Sequence, residues 1–383
     1  MQDYDVAVLG LGAMGSAALS ALARRGARVV GIERFDVPHG EGSSGGQSRL
    51  IRTAYYEHPD YVPLLQRAFA GWRALEKRSG ARILFETGLI EMGRTDGPLV
   101  TGVLRAAAEH GLAVERVARD ACRARFPALT VPTGHEVLFE SAAGFVLCER
   151  AIAAFVDEAR RHGAAVHARE QVLQLARDGD RFVIATAGTR WRCARVVLCA
   201  GAWTAPLVQD LGIPLRVTRQ PLCWFAPHTR DTFTLDRFPC FAIEDDQGGG
   251  GLLYGFPELP IAVADGPRGL KAAVHRLGET TAPDAVDRSL RPDDESAVRD
   301  ALRRYLKDAD GPLCAAKVCL YTNSPDGHFI VDRHPRERDL VLACGFSGHG
   351  FKFAPVLGEA LADLALDGAT ALRIGFLGTG RFA

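Results

Sequence analysis

An apolar run, Asp5-Val6-Ala7-Val8-Leu9, leads directly into Gly10-Leu11-Gly12-Ala13-Met14-Gly15 and then into an Ala- and Leu-rich stretch from Ser16 to Arg25. The run suits a strand buried on both faces of a parallel sheet. The stretch after the glycines has helical spacing, and Gly26 can stop it. Arg28 to Glu33 then reads as a second strand, so the unit has the length of a right-handed crossover. Gly10 permits the tight turn, Gly12 lets the backbone approach a pyrophosphate, and Gly15 lets the helix pack on the strand. The helix N-terminus offers free N–H groups and a positive dipole end to phosphates. Glu33 closes the second strand, where a carboxylate binds ribose hydroxyls. A carboxylate there suits the unphosphorylated ribose of FAD or NAD better than NADP. Val196 to Trp203, an apolar strand ending in small residues, either closes the sheet against a long cofactor or is an ordinary core strand.

The rest of the chain is organised around this unit. A Gly- and Ser-rich loop follows at 34–53. Helices are expected over 61–79, 99–110, 148–162, 293–306 and 355–366. Short strands are expected at 83–85, 89–92, 172–175, 182–186, 196–198 and 341–343, and antiparallel runs over 220–256. The implied fold class is α/β plus α+β. A Rossmann-like nucleotide domain covers 1–82, 142–215 and 325–383, and an interwoven antiparallel-sheet substrate domain covers 83–141 and 216–324.

Charge and cysteine usage narrow the function classes. Lys+Arg and Asp+Glu are equal at 46 each. A balanced charge with 47% apolar residues excludes a disordered chain and weighs against a nucleic-acid partner. The nine cysteines contain no C-x-x-C pair, so no zinc or other metal is expected. They read as reduced, buried small hydrophobes of a cytoplasmic protein. The first nine residues lack a basic leader region, and no apolar run is long enough to span a membrane.

Two C-terminal segments point to chemistry: Cys319-Leu320-Tyr321-Thr322-Asn323-Ser324-Pro325-Asp326, and Gly345-Phe346-Ser347-Gly348-His349-Gly350-Phe351-Lys352-Phe353. With the glycine fingerprint and Gly42–Tyr56, they resemble the monomeric sarcosine oxidase and N-methyltryptophan oxidase family, within the D-amino acid oxidase-like flavoproteins. The resemblance implies FAD held covalently by a thioether from Cys319 to the 8α carbon of the flavin. It implies oxygen activation by Lys352, a substrate carboxylate clamp at Arg52, and Arg49 near the flavin. Arg49 and Arg52, three apart, would share a face in a helical turn. Tyr254, Lys271 and His275 match further site positions, Lys271 lying near flavin N5 through water and His275 facing substrate. Arg34, Ser43, Ser48, Gly201, Trp203, Gly345, Ser347, Gly348, His349 and Gly350 are implied around the cofactor. Gly45 departs from the family, which often carries a histidine there. The missing ring would leave room for a bulkier side chain or a cyclic amine.

The implied activity is FAD-dependent oxidation of a secondary, N-methyl amino acid at its C–N bond. Oxygen is the acceptor, and the products are an imine, then aldehyde plus amine, and H2O2. A monomer is expected. The competing readings are a cyclic (pipecolate- or proline-type) amino acid oxidase and a flavin dehydrogenase with another acceptor. An NAD-dependent dehydrogenase would be colourless, and a flavoprotein acting on modified tRNA needs a basic surface.

Overall fold

The computed structural model describes residues 2–246 and 250–382. The N-terminal apolar run forms the strand Gln2–Leu9 of an 8-stranded sheet. It pairs in parallel with Arg190–Leu198 on one side and Val29–Ile32 on the other. Ala165–His167 extends the sheet past Val29–Ile32, and Leu340–Cys344 joins Arg190–Leu198. Val6 to Leu9 are buried on both faces, as a continuous apolar run requires. The helices Ala13–Arg24, Cys148–Arg161 and Ala354–Leu366 cover one face. Phe182 and Trp191 join the cluster on the other.

The fingerprint glycines have steric reasons. Gly10 has φ +89°, and a Cβ there would lie 2.4 Å from the Cys199 carbonyl oxygen. A Cβ on Gly15 would lie 1.8 Å from the Gly10 carbonyl oxygen. Both contacts are with backbone, so the turn cannot yield locally. Gly15→Ala is therefore expected to push the first helix off the sheet, costing about 3 kcal/mol or more. The purified variant should show a lower urea midpoint; an unchanged midpoint would contradict this account.

A second 8-stranded sheet runs in the order Leu313–Asn323, Arg216–Phe225, Leu270–His275, Leu252–Phe256, Cys240–Glu244, Leu89–Arg94, His135–Glu140 and Glu115–Val117. Its pairs are antiparallel except Cys240–Glu244 with Leu89–Arg94. Residues 247–249 of the antiparallel stretch expected over 220–256 lie outside the described residues. Alternation gives the sheet two unlike faces. Ile90, Met92, Phe241 and Leu253 pack under the helix Pro292–Tyr305. Leu89, Ala242, Tyr254, Ala273, Cys319 and Tyr321 cluster on the opposite face.

A small third sheet joins Ser48–Ile51, Gly144–Leu147 and Leu84–Phe85. It corrects the helical turn expected at Arg49 and Arg52. Ser48–Ile51 is a strand because its backbone is paired with Gly144–Leu147, nearly a hundred residues later.

Candidate active site

The glycine fingerprint opens into a cavity of about 390 Å³. Gly10, Gly12, Glu33, Arg34, Ser43, Gly201 and Trp203 line one part of it. Arg49, Tyr321, Gly345, Ser347, Gly348 and Gly350 line another. Glu33 accepts hydrogen bonds from the Leu11 N–H at 2.7 Å and the Phe35 N–H at 3.0 Å. Burial works to raise its carboxyl, but the hydrogen bond and charge of His39, with these two N–H groups, hold it below the usual carboxylate range. The carboxylate is thus fixed as an anion beside the first turn, as ribose binding needs. Arg34 pairs with Asp284 at 2.8 Å and lies over the Trp203 ring. A cavity lined from the glycine fingerprint to the Gly345–Gly350 loop, with an anionic corner at Glu33, fits a dinucleotide such as FAD. Gly15 is not a lining residue; it serves the helix packing described above.

A second cavity, of about 50 Å³, adjoins the first and shares Arg49, Tyr321, Gly348 and Phe351 with it. Arg52, Glu57, Tyr254, His275, His349 and Lys352 face it, with Tyr56 and Leu252 as bulk. Arg52 is 3% exposed. One of its terminal nitrogens, Nη2, donates to both Glu57 oxygens at 2.9 and 2.8 Å. Its guanidinium lies 4.6 Å from the Tyr55 ring centre and 5.0 Å from that of Tyr56. Lys352 Nζ donates to the His349 carbonyl at 2.8 Å and to the Tyr55 hydroxyl at 3.3 Å. Burial, reinforced by the positive charge of Arg52, pulls Lys352 down to about 7. Burial also pulls His275 down to about 4 and His349 to about 3, so both rings are uncharged at neutral pH. Burial pushes the Tyr254 hydroxyl up to about 12.

Three residues expected at the site, Ser48, Lys271 and Cys319, are buried and line neither cavity. Lys271 Nζ donates to the carbonyls of Gly46 at 2.5 Å and Ser48 at 2.7 Å. Burial and the nearby Arg49 charge pull this ammonium down to about 7. Arg49 donates to the carbonyls of Ser43, Gly45 and Ser48. Cys319 lies two residues before Tyr321 on the long strand Leu313–Asn323, in the apolar cluster of the same face. The room expected beside Gly45 is filled. A Cβ there would meet Lys317 Nζ and Gly40 Cα at 3.0 Å.

Glu57, Tyr55, Tyr56, Glu91 and Lys317 were not expected at the site. Glu91 left one signal in the sequence: a charge inside the apolar strand run 89–92. The others left none, because their partners are remote in sequence or lie in irregular loops.

A channel for a dinucleotide ending against a small cationic cavity defines a nucleotide-dependent oxidoreductase. The chain belongs to the FAD dependent oxidoreductase family, DAO, whose pattern matches residues 5–364. The monomeric sarcosine oxidase of Streptomyces avermitilis is 41% identical over 383 residues, spanning 99% of this chain and 98% of that protein. The N-methyl-L-tryptophan oxidase of Salmonella dublin is 35% identical over 367 residues, 95% of each chain. The open form of NikD, described as an unusual amino acid oxidase essential for nikkomycin biosynthesis, aligns with a TM-score of 0.86 and 25% identity. The alignment spans 99% of this chain and 98% of that one.

Proposed function

We propose that the protein is an FAD-dependent oxidase of small secondary amino acids, with sarcosine the type substrate. The observation that carries this reading is the small cavity, lined by Tyr56 and Leu252 and holding Arg52 and Lys352 beside the cofactor channel. Two cations suit one carboxylate, and Arg52 offers the planar fork. A volume of about 50 Å³ supports a substrate the size of N-methylglycine over one that carries an indole.

Bound FAD supplies the two-electron acceptor that oxygen regenerates, giving H2O2. The chain's residues bind, orient and exclude water. Arg52 and Lys352 hold the carboxylate. His275 and Tyr254, both uncharged, leave the amine free to react as its neutral form, so no side-chain base is needed. Gly10, Gly12, Glu33, Arg34, Ser43, Gly201, Trp203 and the Gly345–Gly350 loop would hold the cofactor, and Cys319, beside the lining residue Tyr321 on its strand, would be the residue to link it as a thioether. Residues 1–82, 142–215 and 325–383 form the cofactor-binding domain but lend Arg52 and Lys352 to the substrate cavity, and 83–141 and 216–324 form the substrate domain but lend Tyr321 to the cofactor cavity. The unpaired state of all nine cysteines supports a cytoplasmic setting, and a monomer is the state taken for this reading. Among the described residues, no helix is long and apolar enough to cross a membrane.

Lys352 was the lysine implied for oxygen, but a docked carboxylate compensates its charge. Lys271 touches the carbonyls of Gly46 and Ser48 and the Phe256 ring, and does not take part in holding the substrate carboxylate. We therefore assign it the larger electrostatic share of oxygen reduction. Lys271→Met should slow reoxidation by oxygen about a hundredfold while anaerobic reduction by substrate changes less. Equal slowing of both half-reactions would contradict the assignment. The activity itself is tested by anaerobic mixing with sarcosine, N-methyltryptophan and pipecolate. Sarcosine should bleach the visible absorbance fastest. Faster bleaching by pipecolate would favour the cyclic substrate class, and no bleaching by any of the three would refute the reading.

A further inference from the structure

Glu91 stands at the site with no part in the chemistry above. It lies on Leu89–Arg94, in register with Leu138 on one side and with Ala242, Tyr254 and Ala273 on the other. That row belongs to the face bearing Tyr254, so the carboxyl is directed toward Arg52 and away from the helix-covered core. Glu91 is 1% exposed. Its Oε1 lies 3.4 Å from Arg52 Nε. Neither Glu91 oxygen, nor Arg52 Nε, has a hydrogen-bond partner among the described residues.

Two more carboxyls crowd the same guanidinium. Glu57 takes both its bonds from Arg52 Nη2. Glu140, on the neighbouring strand, accepts the N–H groups of Thr53 at 2.8 Å and Ala54 at 3.1 Å. Tyr56 feels both Glu91 and Glu244, and Lys352, His349 and His275 line the cavity that Arg52 faces, which Glu91 does not itself line. The helix Pro98–His110 presents only apolar Leu99, Val100 and Val103 to this layer. A docking carboxylate would bring a further anion to a guanidinium already matched by Glu57. Of the three carboxyls, Glu91 is the one with no hydrogen bond to hold it ionised.

We propose that Glu91 is the proton partner of the Arg52 anion site: it takes up a proton from solvent when a small carboxylate docks there, and when ionised it competes with docking. The proposal rests on the reading of Arg52 as the docking group. Burial, opposed by Arg52 and helped by Glu140 and Glu57, raises Glu91 to about 8 in the free site. Below that value it is already protonated and docking takes up nothing. Above it, docking must restore the proton, so affinity for the anion falls as pH rises.

The test is calorimetric titration of the holoenzyme with acetate, an unreactive carboxylate, in buffers of different ionisation enthalpy. Lys352 also takes up a proton when an anion binds, so three proteins are compared. Wild type should take up protons around the Glu91 midpoint and essentially none about two units below it. Glu91→Gln should bind acetate with uptake reduced to the Lys352 share and with a flatter fall in affinity at high pH. Lys352→Met should retain the uptake centred on the Glu91 midpoint. Undiminished uptake in Glu91→Gln overturns the proposal, as does its absence in Lys352→Met, a result that does not depend on the Glu91 variant folding. An Arg52→Met control separates the premise: if acetate binds it as tightly as wild type, the docking reading fails instead.

Discussion

Precipitated in acid, Cys319→Ala protein should release all its flavin into the supernatant, whereas the parent protein keeps its yellow colour in the pellet. The resemblance to covalent flavoproteins implies the linkage at Cys319, and the surroundings of the nine sulfurs bear on which of them could make it. Cys122 and Cys223 are in the core under the helix Pro292–Tyr305, and Cys193 is on the far face of the parallel sheet. Cys240 shares a 3.5 Å hydrogen bond with Thr87, and Cys314 is exposed. Cys344 and Cys199 are raised by burial, Cys199 at the fingerprint turn, where it lines the first cavity as a thiol. Cys148 is the rival to Cys319, because Arg49 and Lys271 act on both sulfurs. Burial pushes Cys148 up to about 12, which leaves it a thiol, and attack on the flavin needs a thiolate. Cys319 instead shares its strand face with Tyr321, a lining residue of both cavities. Cys148→Ala should therefore keep the linkage. Pellet-bound flavin in Cys319→Ala would move the attachment elsewhere, and free flavin from the parent would abolish it.

What could be read in advance was what is local in the chain. Strand, turn, helix and second strand follow one another from residue 2 to residue 32, so their period and glycines sufficed. The motif around Lys352 was equally compact. What failed depended on partners far away in sequence. The Ser48–Ile51 strand exists because Gly144–Leu147 lies beside it, and no local preference marks it as extended. The space at Gly45 is filled by Lys317, from the far end of the chain's second sheet. Glu91 sits inside the expected strand 89–92, where a charge at a buried position needs a reason. Arg52, its reason, is on a different sheet edge.

Replacing Arg52 should have the largest effect of any polar change at the site. In Arg52→Met, kcat/KM for sarcosine should fall by about 10²–10³, the cost of truncating one partner of a buried, hydrogen-bonded charge pair. Two causes contribute and they are separable. Removing the guanidinium strands Glu57, whose carboxyl it holds below the usual range against the effect of burial, and this should destabilise the fold by about 3–5 kcal/mol. It also removes the docking group for the substrate. Arg52→Met with Glu57→Gln relieves the first and not the second. If Arg52 were only the counterion of Glu57, the double variant would regain both stability and activity. If Arg52 docks the carboxylate, thermal stability recovers while kcat/KM stays low. A neutral substrate completes the argument. Wild type should strongly prefer sarcosine to its amide, because Arg52 and Lys352 together favour an anion. In the double variant that preference should shrink by the factor that sarcosine lost, since the amide never drew on the charge of Arg52. A preference left intact would show that the carboxylate is held elsewhere, with Lys352 the first group to examine.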